Sequence, residues 1–340
     1  VILNDKSVDT DRVSGHYQVP YASRSISAQQ VAAWEADANT DALHLPAPNE
    51  FIAEDVSLVP LEGDIPAAPV IVLQRGRQTV WFRQDDEFRL PKGATYINFR
   101  STEVGQSAAQ SAAAVLYTAL VKDEVNEFTY PALLAGLNFS IYKHAQGISL
   151  RITGYNDKQD VLLQKLLDAI SRPTLDASRF ESIRAEMIRG LRDSVAKRPS
   201  SQVLDDLREA LMYGEWGEEA LIEALEQLDQ EQLQAYGQRF WRQATAEALI
   251  YGNYDRDAVE TVSAMVAEVI EAEPPPALPP VRVLKLAASE ALQYAVDVPH
   301  DDAVVAWYLQ GAGNEWEDRA ATALTAQIIK TGFFQQLRTE

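Results

Sequence analysis

Two periods of hydrophobic and polar residues alternate along the chain, and the switches between them predict its elements. Three probable strands come first, Pro69–Gln74, Thr79–Gln84 and Thr95–Arg100. In the second, Val80, Phe82 and Gln84 share one face while Trp81 and Arg83 share the other, the period-two pattern of a strand. Arg75-Gly76-Arg77 is short enough to make the first two a hairpin. From Gln106 to about Leu137 the period lengthens: Ala112, Val115, Leu116, Ala119 and Leu120 recur at three- and four-residue spacing, which predicts a helix with a broad apolar face that Gly136 closes. Strands Phe139–His144 and Ile148–Gly154 come next around a Gln146-Gly147 turn. Helices are then predicted at Lys158–Ile170, Ser178–Arg198, Gln202–Met212, Glu218–Leu225 and Gln230–Trp241, with breaks at Pro173 and Pro199. A strand at Ala246–Tyr251 and a helix at Ala258–Glu271 complete this unit.

The flanks are different. Val1–Leu3 reads as the end of a strand, and Ser27 is a candidate N-cap with Gln30 three residues on. Pro46 and Pro48 punctuate a linker. Residues 274–280 hold five prolines in seven positions, which neither helix nor strand tolerates, so a semi-rigid spacer is expected. Beyond it Val281–Leu286, Leu292–Val298 and Val304–Leu309 restart a strand series, and Glu315–Leu337 is helical. That order repeats the order of residues 69–137. The expected organisation is therefore a preceding segment and linker over 1–49, a complete domain over 50–273, a Pro-rich linker over 274–280 and a truncated second copy over 281–340. Strands joined by short turns and followed by runs of helices predict an α+β fold with a mostly antiparallel sheet.

Composition narrows the functional classes. The 340 residues carry 30 Lys+Arg against 50 Asp+Glu, a formal net charge of −20, which argues against non-specific binding to nucleic acid or acidic membranes. Cysteine is absent, so disulfides, thiolate metal sites and a Cys nucleophile are excluded. No apolar run approaches a membrane span. The N-terminus has neither the basic region nor the apolar stretch of a signal peptide and lacks a starting Met, and an excised segment is expected.

Candidate chemistry is sparse. His16, His44, His144 and His300 are isolated, so neither H-E-x-x-H nor H-x-x-E-H is present. Asp85-Asp86-Glu87 could hold a hard cation or be a charged loop. Glu124 with Glu127, and Asp301 with Asp302, could pair for acid–base work or be solvated surface. Gly311-Ala312-Gly313-Asn314 is too short for a phosphate loop. Residue chemistry alone offers no active site: no catalytic residue and no metal ligand is expected.

Read in order, several stretches resemble the insulinase/pitrilysin family of zinc metallopeptidases. They are Leu45–Ile52, Val80–Phe88, Asp123–Phe128, Leu134–Leu137, Gly154–Gln159, Arg179–Glu181, Tyr251–Asn253 and Leu337–Glu340, at matching order and spacing. The resemblance implies four homologous α+β domains in two halves that close around a peptide, with zinc and its H-x-x-E-H in the first domain. This chain is similar to the middle: the end of the second domain, the inter-half linker, the third domain and the start of the fourth. The helix from Gln106 carries Ala108, Ala112 and Ala113 where a catalytic domain needs His and Glu.

By the same resemblance the chain would be a non-catalytic wall of the substrate chamber. Its partners would be a peptide substrate and the N-terminal catalytic half of the same polypeptide; zinc would sit in the parent enzyme, outside this chain. The Arg of the family's L-R-T-x-E-Q-L-G-Y pattern contacts the backbone of bound peptide, and Leu337-Arg338-Thr339 matches it, although Glu340 follows Thr339 directly and is out of register. Arg338 is thus the one substrate-binding residue that carries over. A bacterial, periplasmic enzyme is expected, with the cytoplasm as alternative. A scaffold relative without peptidase activity and an independent ligand-binding domain are the rival readings. A truncated fourth domain would expose apolar surface and strand edges, so a homodimer through those surfaces is expected.

Overall fold

A computed structural model describes residues 7–36, 45, 47–193, 198–270, 277–278, 280–287, 292–296 and 301–338. The chain divides into two compact units, Val1–Pro48 and Asn49–Glu340. In the first, β1 (Arg12–Val13) pairs antiparallel with β2 (Pro20–Tyr21), and α1 spans Ala28–Ala36. The Ser27 hydroxyl accepts the Gln30 N–H at 3.2 Å, so the expected cap forms. The strand expected at Val1–Leu3 lies outside the described residues, as does Pro46.

The second unit is built on six strands: β3 (Val70–Arg75), β4 (Gln78–Gln84), β5 (Lys92–Arg100), β6 (Asn138–His144), β7 (Gly147–Tyr155) and β8 (Thr245–Gly252). Their spatial order is β3-β4-β8-β5-β7-β6. The neighbours are antiparallel except β4 and β8, which run parallel from Gln78 opposite Ala246 to Gln84 opposite Gly252. The last strand in sequence thus inserts into the middle of the sheet, which is the α+β, mostly antiparallel class expected.

Helices α2 (Ala108–Leu134), α3 (Gln159–Ser171), α7 (Gln230–Gln243) and α8 (Arg256–Ala267), with α4 (Ala177–Asp193), α5 (Pro199–Leu211) and α6 (Glu218–Gln227), accompany the sheet up to residue 270. Local chemistry sets their ends. Ser107 caps α2 by accepting the Gln110 N–H at 3.2 Å, so the helix begins two residues later than periodicity alone indicated. At its other end Gly136 (φ +82°) lets its N–H reach Leu133 O and the Leu137 N–H reach Ala132 O, closing a Schellman motif. Asp229 and Gln232 form a reciprocal capping box on α7. α5 starts at Pro199 rather than Gln202, because a proline ring suits the first helical turn, where its missing N–H would have had no partner.

The core lies between the helices and one face of the sheet. Ile97, Phe99, Ile148, Leu150, Ile152 and Ile250 from the strands meet Leu116, Tyr117, Val121, Leu162, Leu166 and Phe240 from the helices, all buried. At about 1.5–3 kcal/mol for each large apolar side chain removed from water, this layer dominates the stability of the unit.

The region after the Pro-rich stretch differs from expectation. Among its described residues, 281–286, 292–296 and 304–309 form no strand; Val283 alone makes an isolated bridge, to Met212. Tyr213 N–H donates to Arg282 O at 3.0 Å and Leu284 N–H to Leu211 O at 2.8 Å. β-rich sequence becomes a strand only where a neighbour supplies a ladder of backbone partners, and here one short stretch has them. Helix α9 (Trp316–Arg338) does form, with Ile328, Phe333 and Phe334 exposed.

The open face of the sheet

Because strand side chains alternate, burying Thr95, Ile97 and Phe99 against the helices turns Tyr96, Asn98 and Arg100 to the other side. Cross-strand register then assembles rows on this open face. Tyr96 stands between Arg151 of β7 and Leu249 of β8, and Leu249 is opposite Trp81 of β4. The Arg151 guanidinium lies 5.1 Å from the centre of the Tyr96 ring. In the next row Ser149 donates to Asn98 Oδ1 at 2.6 Å. Glu247 is opposite Asn98 and is held from two sides: Trp81 Nε1 donates to one oxygen at 3.0 Å, and Arg100 pairs with the other at 3.1 Å.

At one end of this face Gly147 separates Arg100 from His144 in register. A Cβ at Gly147 would fall 1.8 Å from Phe99 O, so the strands approach too closely there for any side chain. Burial, then the charges of Arg100 and Lys143, hold His144 below its ordinary pKa, so it stays a neutral imidazole. Its Nδ1 accepts the Gln146 N–H at 3.3 Å, which assigns the ring proton to Nε2.

At the opposite end Arg83 lies 5.8 Å from the Tyr251 ring centre and pairs with Asp86 at 2.8 Å. Asp85 is buried: one carboxylate oxygen accepts the N–H groups of Glu87 and Phe88, both at 3.1 Å, and the Tyr251 hydroxyl at 3.3 Å; the other accepts the Arg89 N–H at 2.9 Å. Burial disfavours the charge, yet the backbone donors outweigh it and hold the carboxyl below its ordinary range. The acidic triplet is therefore a turn that fixes the rim of this face, with Arg89 in a left-handed conformation (φ +51°). Glu124 likewise serves the backbone, accepting the Thr174 N–H at 2.9 Å.

Among the described residues no three His, Cys, Asp or Glu side chains converge as metal ligands. On α2, Ala112 and Ala113 are buried in the core with no donor atom to offer. This donor set does not fit zinc. His44 and His300 lie outside the described residues, and His16 belongs to the N-terminal unit. Arg338 is the last residue of α9, and its side chain lies outside what the structure describes. The open face pairs aromatic rings with guanidinium groups and ends at β6, the terminal strand of the sheet, features suited to holding an extended polar chain. The sequence indicated one part of it, the second face of Thr79–Gln84 with Trp81 and Arg83. The rows through Tyr96, Arg151 and Glu247 depend on strand order.

Residues 1–224 match the domain family described as the middle or third domain of peptidase M16, and residues 227–340 match the peptidase M16 inactive domain. The chain belongs to the M16 peptidase family. It is 30% identical to human insulin-degrading enzyme over 348 residues, covering 97% of this chain and 33% of that enzyme. The insulin-degrading enzyme of Drosophila melanogaster is 26% identical, over 98% of this chain and 34% of its own. The A-factor-processing enzyme of Saccharomyces cerevisiae is 27% identical, over 79% and 26%. Among solved structures, pitrilysin superposes with a TM-score of 0.66 at 19% identity, covering 77% of this chain and 28% of pitrilysin. An M16 inactive domain from Pseudomonas fluorescens gives 0.51 at 15% identity, covering 65% and 54%, so both show the shared fold. This M16 chain spans about a third of the length of the curated relatives it matches. No described helix is long and apolar enough to cross a membrane.

Proposed function

We propose that this M16 chain is the non-catalytic central part of a zinc metallopeptidase and that the open sheet face is a wall of the chamber enclosing a short or unfolded peptide. The observation that carries this reading is the contrast between the two sides of the sheet. Behind it α2 buries alanines where hydrolysis would need ligands; in front, Tyr96, Arg151, Trp81 and Arg100 offer stacking surfaces and N–H donors but no nucleophile–base pair. Such a wall would orient a peptide and exclude water from a zinc held by an N-terminal catalytic half. Residues 1–49 would join the halves, 50–273 would be the third domain, 274–280 a spacer and 281–340 the opening of the fourth, with Arg338 directed at the peptide backbone. The compartment is proposed to be the bacterial periplasm.

The test is cleavage and binding of a quenched fluorescent peptide by this chain, with zinc and with a chelator. The expected result is no cleavage in either condition and saturable binding that Arg151→Ala weakens several-fold. Cleavage abolished by the chelator would overturn the non-catalytic assignment, and binding indifferent to Arg151→Ala would overturn the wall.

The exposed apolar residues of α9 are proposed to drive self-association of this chain. Sedimentation velocity should show a monomer–dimer equilibrium that shifts with concentration, and Phe333→Ser with Ile328→Ser should abolish it. A concentration-independent monomer would dismiss the dimer.

A further inference from the structure

A hollow of about 240 Å³ opens where α2, α4 and α6 meet, on the helical side of the unit. Met187 and Leu191 of α4 face Leu221 and Leu225 of α6 across it, and no polar side chain lines it. Its two smallest lining residues are Ala112 of α2 and Gly190 of α4. Gly190 has no local reason to be glycine. It sits inside the helix, its backbone is not left-handed, and a Cβ there would meet nothing within 4 Å. Proline apart, glycine is the residue least favoured in a helix interior. What Gly190 does provide is open volume in the hollow.

The hollow is also kept from closing. An apolar gap costs less stability where the surrounding helices can collapse into it. Here Arg184 of α4 donates to Leu228 O, just past the end of α6, at 2.7 Å, and Arg192 of α4 pairs with Glu226 of α6. These two polar ties fix the spacing of the helices on either side. With no donor or acceptor in its side-chain walls, the space suits neither water nor an ion, and a polar group placed in it would go unpaired. Its length decides the kind of occupant. Met187 to Leu191 on α4 and Leu221 to Leu225 on α6 each cover about one helical turn, about 6 Å. A docked helix needs anchors along two turns or more, so the hollow admits a single group and not a helix. An apolar cavity of about 150 Å³ takes a benzene molecule, so about 240 Å³ takes a ring with one or two small substituents, or an alkyl chain of similar bulk.

We propose that this hollow is a binding site for a small, uncharged, apolar molecule about the size of a substituted benzene ring. The site lies on the helical side of the unit and does not depend on the peptide wall. The test follows the methyl resonances of the intact chain by NMR while toluene or phenol is titrated. The two are nearly the same size, and only phenol brings a hydroxyl that the walls cannot pair. Saturable shifts at Met187 and Leu221 are expected, with toluene binding at least tenfold more tightly than phenol. Gly190→Leu and Gly190→Met fill the hollow with side chains that helices favour. Each should weaken toluene at least tenfold while its urea midpoint stays at or above that of the unaltered chain. Phenol matching toluene, shifts that do not saturate, or toluene affinity unchanged in the filled variants would overturn the site. A lowered urea midpoint in both variants would show that the hollow has no room for a further group, and would overturn it as well.

Discussion

Gly154→Ala should cost about 3 kcal/mol or more of folding stability, enough to remove much of the margin of an ordinary domain. The backbone there has φ +134°, which L side chains rarely adopt. The space is closed as well: a Cβ would stand 2.2 Å from Gly136 O and 3.0 Å from Leu137 Cα. Both obstacles are main chain, and Gly136 is pinned by the Schellman closure of α2, so neither can move aside without opening the helix end. The Gly154 carbonyl also anchors Gln159, so the change would loosen the start of α3. Gly190→Ala provides the control, since that glycine sits inside α4 with nothing within 4 Å of its Cβ. It should stabilise the chain by up to about 1 kcal/mol. Urea unfolding of the two variants measures both, and equal midpoints would show that close approach at Gly154 does not limit the fold.

Gly154 also marks the limit of what local sequence encodes. It is legible as the end of a strand, because Ile148, Leu150 and Ile152 alternate with polar residues and a turn comes next. That its backbone presses on Gly136 is not legible, since it depends on how the chain leaving α2 enters β6 beside β7. The same division holds elsewhere. Ser27 as a cap, Gly136 as a stop and the two faces of Thr79–Gln84 are local facts and readable locally. The parallel insertion of β8 beside β4 is a long-range event that no local period encodes. The stretches after residue 280 have strand-like composition yet make a single bridge among the described residues, because composition describes what a strand tolerates and says nothing of whether a partner is there.

The candidate site divides along the same line. The isolation of the histidines and the alanines of the helix after Gln106 are readable directly. The open face is not, for its rows join residues more than a hundred positions apart, such as Tyr96 with Leu249 and Asn98 with Glu247. In sequence Asp85 looks like one of three equivalent carboxylates; only the fold shows that it turns inward to four donors while Asp86 pairs with Arg83. Carboxylates placed together in sequence are thus poor evidence of shared function when backbone N–H groups nearby need acceptors.

Tyr117→Phe should be the most costly change that removes a single atom. The ring of Tyr117 lies in the core between α2 and α7, and its hydroxyl joins three helices: it donates to Ile170 O of α3 at 2.6 Å and accepts from Trp241 Nε1 of α7 at 3.0 Å. Phenylalanine fills the same volume but strands a carbonyl and an indole N–H in a dry interior, at about 1–3 kcal/mol for each buried group left unpaired. For the two groups together a loss of about 2–6 kcal/mol is therefore expected. Burial pushes the Tyr117 pKa far above its ordinary value, so the hydroxyl stays protonated and the loss should not vary across the neutral pH range. Trp241→Phe removes the donor instead of the acceptor, and with Tyr117→Phe already present it should cost less than it does alone. A double-mutant cycle should return a coupling of about 1 kcal/mol or more. Zero coupling would mean that the indole finds another partner, and this bond would then not be what holds α7 to α2. The clasp lies behind β5, where Trp241 meets Phe99 edge-on at 4.9 Å, so its directional bonds fix the helices against the strand that carries Tyr96, which apolar contacts alone would not do.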